Sequence, residues 1–277
     1  MAHDPDPVAA HHFILQTYSY YAALMRTLHA STAVDALENP SLGGKLFWAG
    51  ELDSTGRALT VAGSIAGAAT LAATSDANGQ KLAVRDGVVD FLVNSLDEAV
   101  RILKNEVRKR ETVAVGVALP MEVIEREMVE RGVQPDVFRE GTVRAAKWTT
   151  QNESSESRVD PETDPMGAQA LVVWRADRAP ALWLPKIDAI ALECLNPEEQ
   201  IARRWLMRSS RYLGRMGQTG HLVRSNREFA ARLAQRMQTL ADQGELKVGC
   251  RIEIAFAGGT DYLNFWSPES RSTAPQA

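Results

Sequence analysis

A parallel α/β sheet flanked by helices, with a smaller C-terminal α+β portion, is the fold class this 277-residue sequence predicts. Three observations carry the prediction. Short apolar runs alternate with helix-length segments from Lys45 to Phe138. The runs are continuously apolar rather than alternating, as strands covered on both faces are. The helical segments carry start and stop residues in the right places. Strand–helix–strand repeats of this kind close with right-handed crossovers into a Rossmann-like sheet.

The first strand is read at Leu46-Phe47-Trp48-Ala49, followed by a small-residue turn over Gly50 to Gly56 and a helix from Arg57 to Gly67. A second apolar run, Ala68 to Ala73, ends near Asp76, and Val88 to Val93 reads as a third strand. Ser95 is a good N-cap for a helix through Arg110, with Asp97 and Glu98 in its first turn and basic residues in its last, as the helix dipole favours. Thr112 to Ala118 is β-branched and strand-like, Pro120 to Arg131 is a helix closed by Gly132, and Pro135 to Phe138 opens a fifth strand.

These residues also carry a resemblance. Asp86-Gly87-Val88-Val89-Asp90, then Leu96-Asp97-Glu98-Ala99, and then Arg131-Gly132-Val133-Gln134-Pro135-Asp136 resemble successive motifs of the urocanase (urocanate hydratase) family, as do Gly44-Lys45-Leu46 and Ala49-Gly50 upstream. The resemblance implies that family's NAD-binding Rossmann-like domain and a link to histidine metabolism. It implies either a urocanase-related protein with a nucleotide- or ligand-binding core lacking the complete hydratase active site, or an NAD-dependent lyase or oxidoreductase acting on a small molecule. Two departures weigh toward the first. Leu52, Asp53, Ser54 and Thr55 stand where the family's first turn is rich in glycine. After Phe138 the chain reads Arg139-Glu140-Gly141-Thr142-Val143-Arg144-Ala145, where the family has Asp-Gln-Thr-Ser-Ala-His-Asp. No catalytic residue carries over, and the family's flanking catalytic segments are not expected here.

Ligands of such sheets bind outside the carboxyl ends of the strands. The expected cofactor-binding residues are therefore Gly50, Ser54, Thr55, Gly56, Arg57 and Asp76. Glycines would let a pyrophosphate approach the backbone, Ser54 and Thr55 would donate hydroxyl hydrogen bonds, and Arg57 would neutralise a phosphate. Asp76 has the position of an acid on the adenosine ribose, or of a simple helix cap in Asp76-Ala77-Asn78-Gly79. Asp53 repels phosphate, which points to a neutral or hydroxyl-rich ligand, and Leu52 packed into the cleft would close it altogether. NAD is the cofactor to test; the partner expected is a small molecule or nucleotide, with a homodimer left open.

Outside this core, 1–43 is read as an N-terminal helical segment with a helix over Val8 to Ala30, and 44–176 as the Rossmann-like domain with a mobile acidic loop at 151–166. Thr142 to Thr150 and Ala168 to Trp174 are read as further strands, the latter returning to the sheet. A C-terminal helical and β portion spans 177–266, and 267–277 is a disordered tail. Asn196-Pro197-Glu198-Glu199 starts one helix, Ser225 caps another, and strands are read at Lys247 to Phe256 and Tyr262 to Trp266. Arginines from Arg203 to Arg236 serve a solvated or ion-paired face, or an anion turn between Arg211 and His221.

A net charge of −4 argues against nucleic-acid or membrane partners. Two distant cysteines, Cys194 and Cys250, and no signal-like N-terminus lead to the expectation of a reducing, cytoplasmic setting. No Walker loop, Gly-x-Ser-x-Gly elbow or metal-ligand spacing is present, so no metal is expected.

Overall fold

The computed structural model describes residues 7–31, 41–139, 158–159, 170–176, 179–218, 220–245, 250–255 and 262–266. The strand expected at 142–150 and the tail from Ser267 lie outside the described residues, as does the acidic loop apart from Arg158 and Val159. The chain divides into two compact units, one of Leu15–Thr163 with Arg211–Arg215, the other of Met1–Ile14, Asp164–Ser210 and Met216–Ala277. Helix α1 (Pro7–Ser31) contributes its start to the latter and its remainder to the former.

The first unit holds the predicted sheet. Its strands are β1 (Leu46–Glu51), β2 (Ala69–Ala73), β3 (Phe91–Val93), β4 (Val113–Val117), β5 (Val137–Arg139) and β6 (Arg158–Val159). They lie in the order β3-β4-β2-β1-β5-β6, and each neighbouring pair is parallel. The helices between them are α2 (Ser54–Ala66), α3 (Ala77–Arg85), α4 (Leu96–Lys109) and α5 (Met121–Glu130). Every residue of β2 and β4 is buried, which is why those runs are apolar without alternation.

Leu96, Ala99 and Leu103 of α4 and Ile124 and Met128 of α5 pack with Trp48, Leu71, Val115 and Phe138 on one face of the sheet. The opposite face takes α2, whose Gly63 comes down onto Phe47 and Thr70. From β1 the chain moves by α2 to β2, and from β4 it crosses by α5 to β5 on the other side of β1. The order reverses there, which places the crevice of such a sheet at the carboxyl end of β1. In the same layer, the indole of Trp48 donates to the buried carboxylate of Glu125 at 3.1 Å, tying α5 to the central strand.

The second unit departs from expectation in one strand. Ala170–Ala176 (β7) does not return to the parallel sheet. It pairs antiparallel with β8 (Gly220–Ser225) on one side and β9 (Cys250–Ala255) on the other, with β10 (Tyr262–Trp266) beyond β9. An apolar run such as Ala-Leu-Val-Val-Trp fits the centre of either kind of sheet, so periodicity leaves its partners undetermined.

Three helices accompany this sheet: α6 (Pro180–Cys194), α7 (Gln200–Tyr212) and α8 (Arg227–Asp242). Asn226, not Ser225, caps α8, accepting from the Phe229 amide at 2.8 Å. The Ser225 hydroxyl donates instead to Glu199 at 2.7 Å. The arginines have a definite task here. Arg203 donates to the carbonyls of Leu192 and Leu195, and Arg232 to that of Cys194, so they close the C-terminal carbonyls of α6. The stretch read as an anion turn is not one loop. Gly214–Gly217 is a single 3-10 turn, and β8 begins at Gly220.

Candidate functional site

The carboxyl edge of the first unit's sheet is built by the turns after β1, β2, β3 and β4. Gly50 lies near the end of β1 with φ of 79°, where the register against β2 shifts between Trp48 and Gly50. That bulge is what its glycine serves. Leu52 turns inward, 3% exposed, with its amide on the Ala73 carbonyl and its side chain against Gly116 of β4.

Asp53 caps α2, accepting from the Gly56 amide at 2.7 Å. Gly56 itself lies against the Glu51 carbonyl so closely that a Cβ there would sit 1.7 Å from the oxygen. Its lack of a side chain is therefore a packing requirement between helix and strand. Ser54 is exposed and Thr55 half-buried in the first turn of α2; neither makes a hydrogen bond through its side chain among the described residues.

Asp76 caps α3 with both carboxylate oxygens, one taking the Asn78 amide at 3.3 Å and the other the Gly79 amide at 2.7 Å. Asp53 and Asp76 thus share one pattern, Asp-x-x-Gly with the glycine amide on the acid, a cap signal readable in the sequence. Ser95 caps α4, accepting from the Glu98 amide, while the Glu98 carboxylate reaches back to the Asn94 amide at 3.0 Å. This is close to a capping box, shifted by one residue at its return bond. At the three helix starts the amides of Gly56, Asn78, Gly79 and Glu98 are taken by the chain's own side-chain oxygens.

Arg57 does not reach this edge as a phosphate partner. Its guanidinium pairs with Asp86 at 2.7 Å. Asp86 is the C-cap of α3 and Asp76 its N-cap, so the two lie at opposite ends of that helix, roughly 15 Å apart at 1.5 Å per residue. Burial alone would push the Asp86 carboxyl up, but hydrogen bonds and charge from Arg85 and Arg57 outweigh it and hold the group below the usual carboxylate range. Arg139, at the end of β5, points at Asp53 at 3.4 Å.

The remaining charge at the edge is negative. The Glu51 carboxyl is raised above its ordinary value, first by burial and then by Asp53, Glu122 and Asp76, against the opposing hydrogen bond with Thr74. Burial is the largest cause of that shift; the smaller share from Asp53, Glu122 and Asp76 is negative charge nearby, which opposes a pyrophosphate. The six residues expected to hold a cofactor are thus brought only partly together. Gly50, Ser54, Thr55, Gly56 and Asp76 line the same edge, and Arg57 is turned away from it. Gly50 and Gly56 shape the backbone there, and Asp76 is occupied as a cap. Sequence reading gave no role at this edge to Glu51 and Glu122, which add negative charge, or to Arg139, which pairs with Asp53. The described residues hold no cluster of His, Cys, Asp or Glu suited to a metal ion, and no described helix is long and apolar enough to cross a membrane.

The geometry and the family comparison agree on the fold. Residues 24–150 match the family model of the urocanase Rossmann-like domain, so this part of the chain is similar to that domain.

Proposed function

We propose that this urocanase-related protein is a ligand-binding module without the complete hydratase active site, and that its sheet edge takes a neutral, hydroxyl-rich small molecule. The observation that carries this reading is the capping of α2, α3 and α4 by Asp53, Asp76 and Ser95 with Glu98. A helix start binds phosphate through unoccupied amides and positive potential. Here the amides of Gly56, Asn78, Gly79 and Glu98 are engaged, and the nearby acids Glu51, Asp53, Asp76 and Glu122 supply negative potential.

Hydroxyl groups suit such a surface, because they donate to carboxylates and accept from the hydroxyls of Ser54 and Thr55. NAD and urocanate both carry negative charge and are disfavoured at this edge. Incubation of the purified chain with urocanate, with and without NAD, tests the enzymatic half of the reading by absorbance. A constant signal is expected, and NAD-dependent loss of urocanate overturns it. Amide chemical-shift mapping with ribose as probe tests the binding half. Shifts confined to Ser54, Thr55 and the Asp76 turn are expected, and a spectrum unchanged by ribose sinks it.

A further inference from the structure

A second cavity lies wholly within the unit that carries the antiparallel sheet. It measures about 320 Å³ and is lined by Ala10, His11 and Ile14 of α1, by Val173 and Arg175 of β7, and by His221 of β8, with Ala176, Pro180, Gly220 and Leu222 completing the wall. That volume is at the lower end of the range for small-molecule pockets. The wall is apolar apart from two imidazoles and a guanidinium, and no carboxylate lines it.

His221 is the centre of the cavity's chemistry. Its ring is 5% exposed. Nδ1 faces both carboxylate oxygens of Asp188 in α6, at 2.9 and 2.8 Å. The Trp174 indole donates to the same carboxylate at 2.9 Å. Two donors on Asp188 fix Nδ1 as the protonated nitrogen of the neutral ring. Nε2 then carries the lone pair. No hydrogen bond to it is found among the described residues, and the ring lines the cavity.

We infer that this cavity binds a small organic acid with an apolar body, its carboxylate received by Nε2 of His221. Nε2 takes a proton from solvent as the ligand enters and donates it in a hydrogen bond to the carboxylate, while Asp188 balances the ring from behind. The charged groups that face the ring are Asp188 from α6, His11 from α1 and Arg175 from β7. The apolar body lies against Ile14, Val173 and Leu222. Asp188 and Trp174 are positioning residues, since they act on the ligand only through His221. The inference does not depend on the reading of the sheet edge in the other unit.

Benzoate is the probe, with benzylamine as its charge-reversed control, and the measurement is made on the full chain labelled with ¹⁵N-histidine. At pH 8 the free protein is expected to show one histidine in the Nδ1–H tautomer, the one whose Nδ1 faces Asp188. Saturating benzoate is expected to convert that histidine to the doubly protonated form, and benzylamine to leave it unchanged. His221→Gln and the cavity-filling Ile14→Phe are each expected to weaken benzoate binding at least tenfold. A His221 signal unmoved by benzoate, or moved equally by benzylamine, overturns the proposal from wild-type protein alone. Unweakened binding in a folded variant overturns it as well.

Discussion

Gly56→Ala is expected to abolish folding of the sheet-bearing unit. The added methyl would stand 1.7 Å from the Glu51 carbonyl oxygen and 2.8 Å from its carbon, both backbone atoms of the central strand. No side-chain rotation relieves that overlap; α2 would have to lift from β1. Such a shift would break the Asp53 cap and uncover Ala58, Leu59 and Ala62, which are fully buried. The cost exceeds about 4 kcal/mol, in the range that defeats marginally stable domains. Gly87→Ala is the matched control. It has φ of 70° and open space around the position of a Cβ. It is expected to cost only about 1–2 kcal/mol, the price of a left-handed alanine. Soluble yield and circular-dichroism melts of the two variants read the difference directly. Equal melting points for Gly56→Ala and wild type would refute the packing account of this glycine. The same geometry makes Gly56 unsuitable as a binding-site mutation, because its loss acts on the fold first.

Arg57→Met is expected to lower stability by about 2–3 kcal/mol at neutral pH, somewhat below the figure for leaving a fully buried charge unpaired. The Asp86 carboxylate is 7% exposed and Arg57 14%, so their pairing is shielded from solvent, whereas the second partner, Arg85, is 59% exposed. At roughly 2–4 °C per kcal/mol for a chain of this size class, the melting point falls by about 4–12 °C. The pH dependence has a definite sign. The folded-state pKa of Asp86 lies below the ordinary aspartate value of about 3.8. Its contribution is present above that value and is lost as pH falls through the lower folded-state value. The gap between wild type and Arg57→Met is therefore constant from neutrality down to mildly acidic pH and narrows below about 3.8. Melts across that range that show a constant gap throughout would remove Asp86 as the cause.

The elements with one dominant signal were legible in the sequence. The runs Ala69–Ala73 and Val113–Val117 are apolar because both faces of β2 and β4 are covered. Ser95 was read as a cap and is one. Helix α3 was legible only at its cap, Asp76, because it buries only Ala83 and opens with Ala-Asn-Gly, which also reads as a turn. Helix α6 escaped notice because Pro185 lies inside it, a residue that normally ends a helical pattern. The first unit's edge was half legible. Residue types at Gly50 to Arg57 and at Asp76 were visible, but the direction of each side chain was not. Asp53 and Asp76 turn their oxygens onto backbone amides, and Arg57 finds its partner 29 residues away. The pair of His221 and Asp188 is 33 residues apart, with no local spacing to mark it. Long-range ion pairs leave no periodic trace, whereas the repeated Asp-x-x-Gly caps were there to be read.

In the proposed function, the side-chain caps at the helix starts and the acids around them keep a dinucleotide off this edge. Calorimetric titration of NAD into the full chain at low ionic strength tests it most directly, since weak screening favours any phosphate contact that exists. The account predicts no saturable heat up to about 1 mM NAD, a binding free energy no better than about −4 kcal/mol. A saturable isotherm within that range, with a Kd of about 10 μM for example, would contradict it.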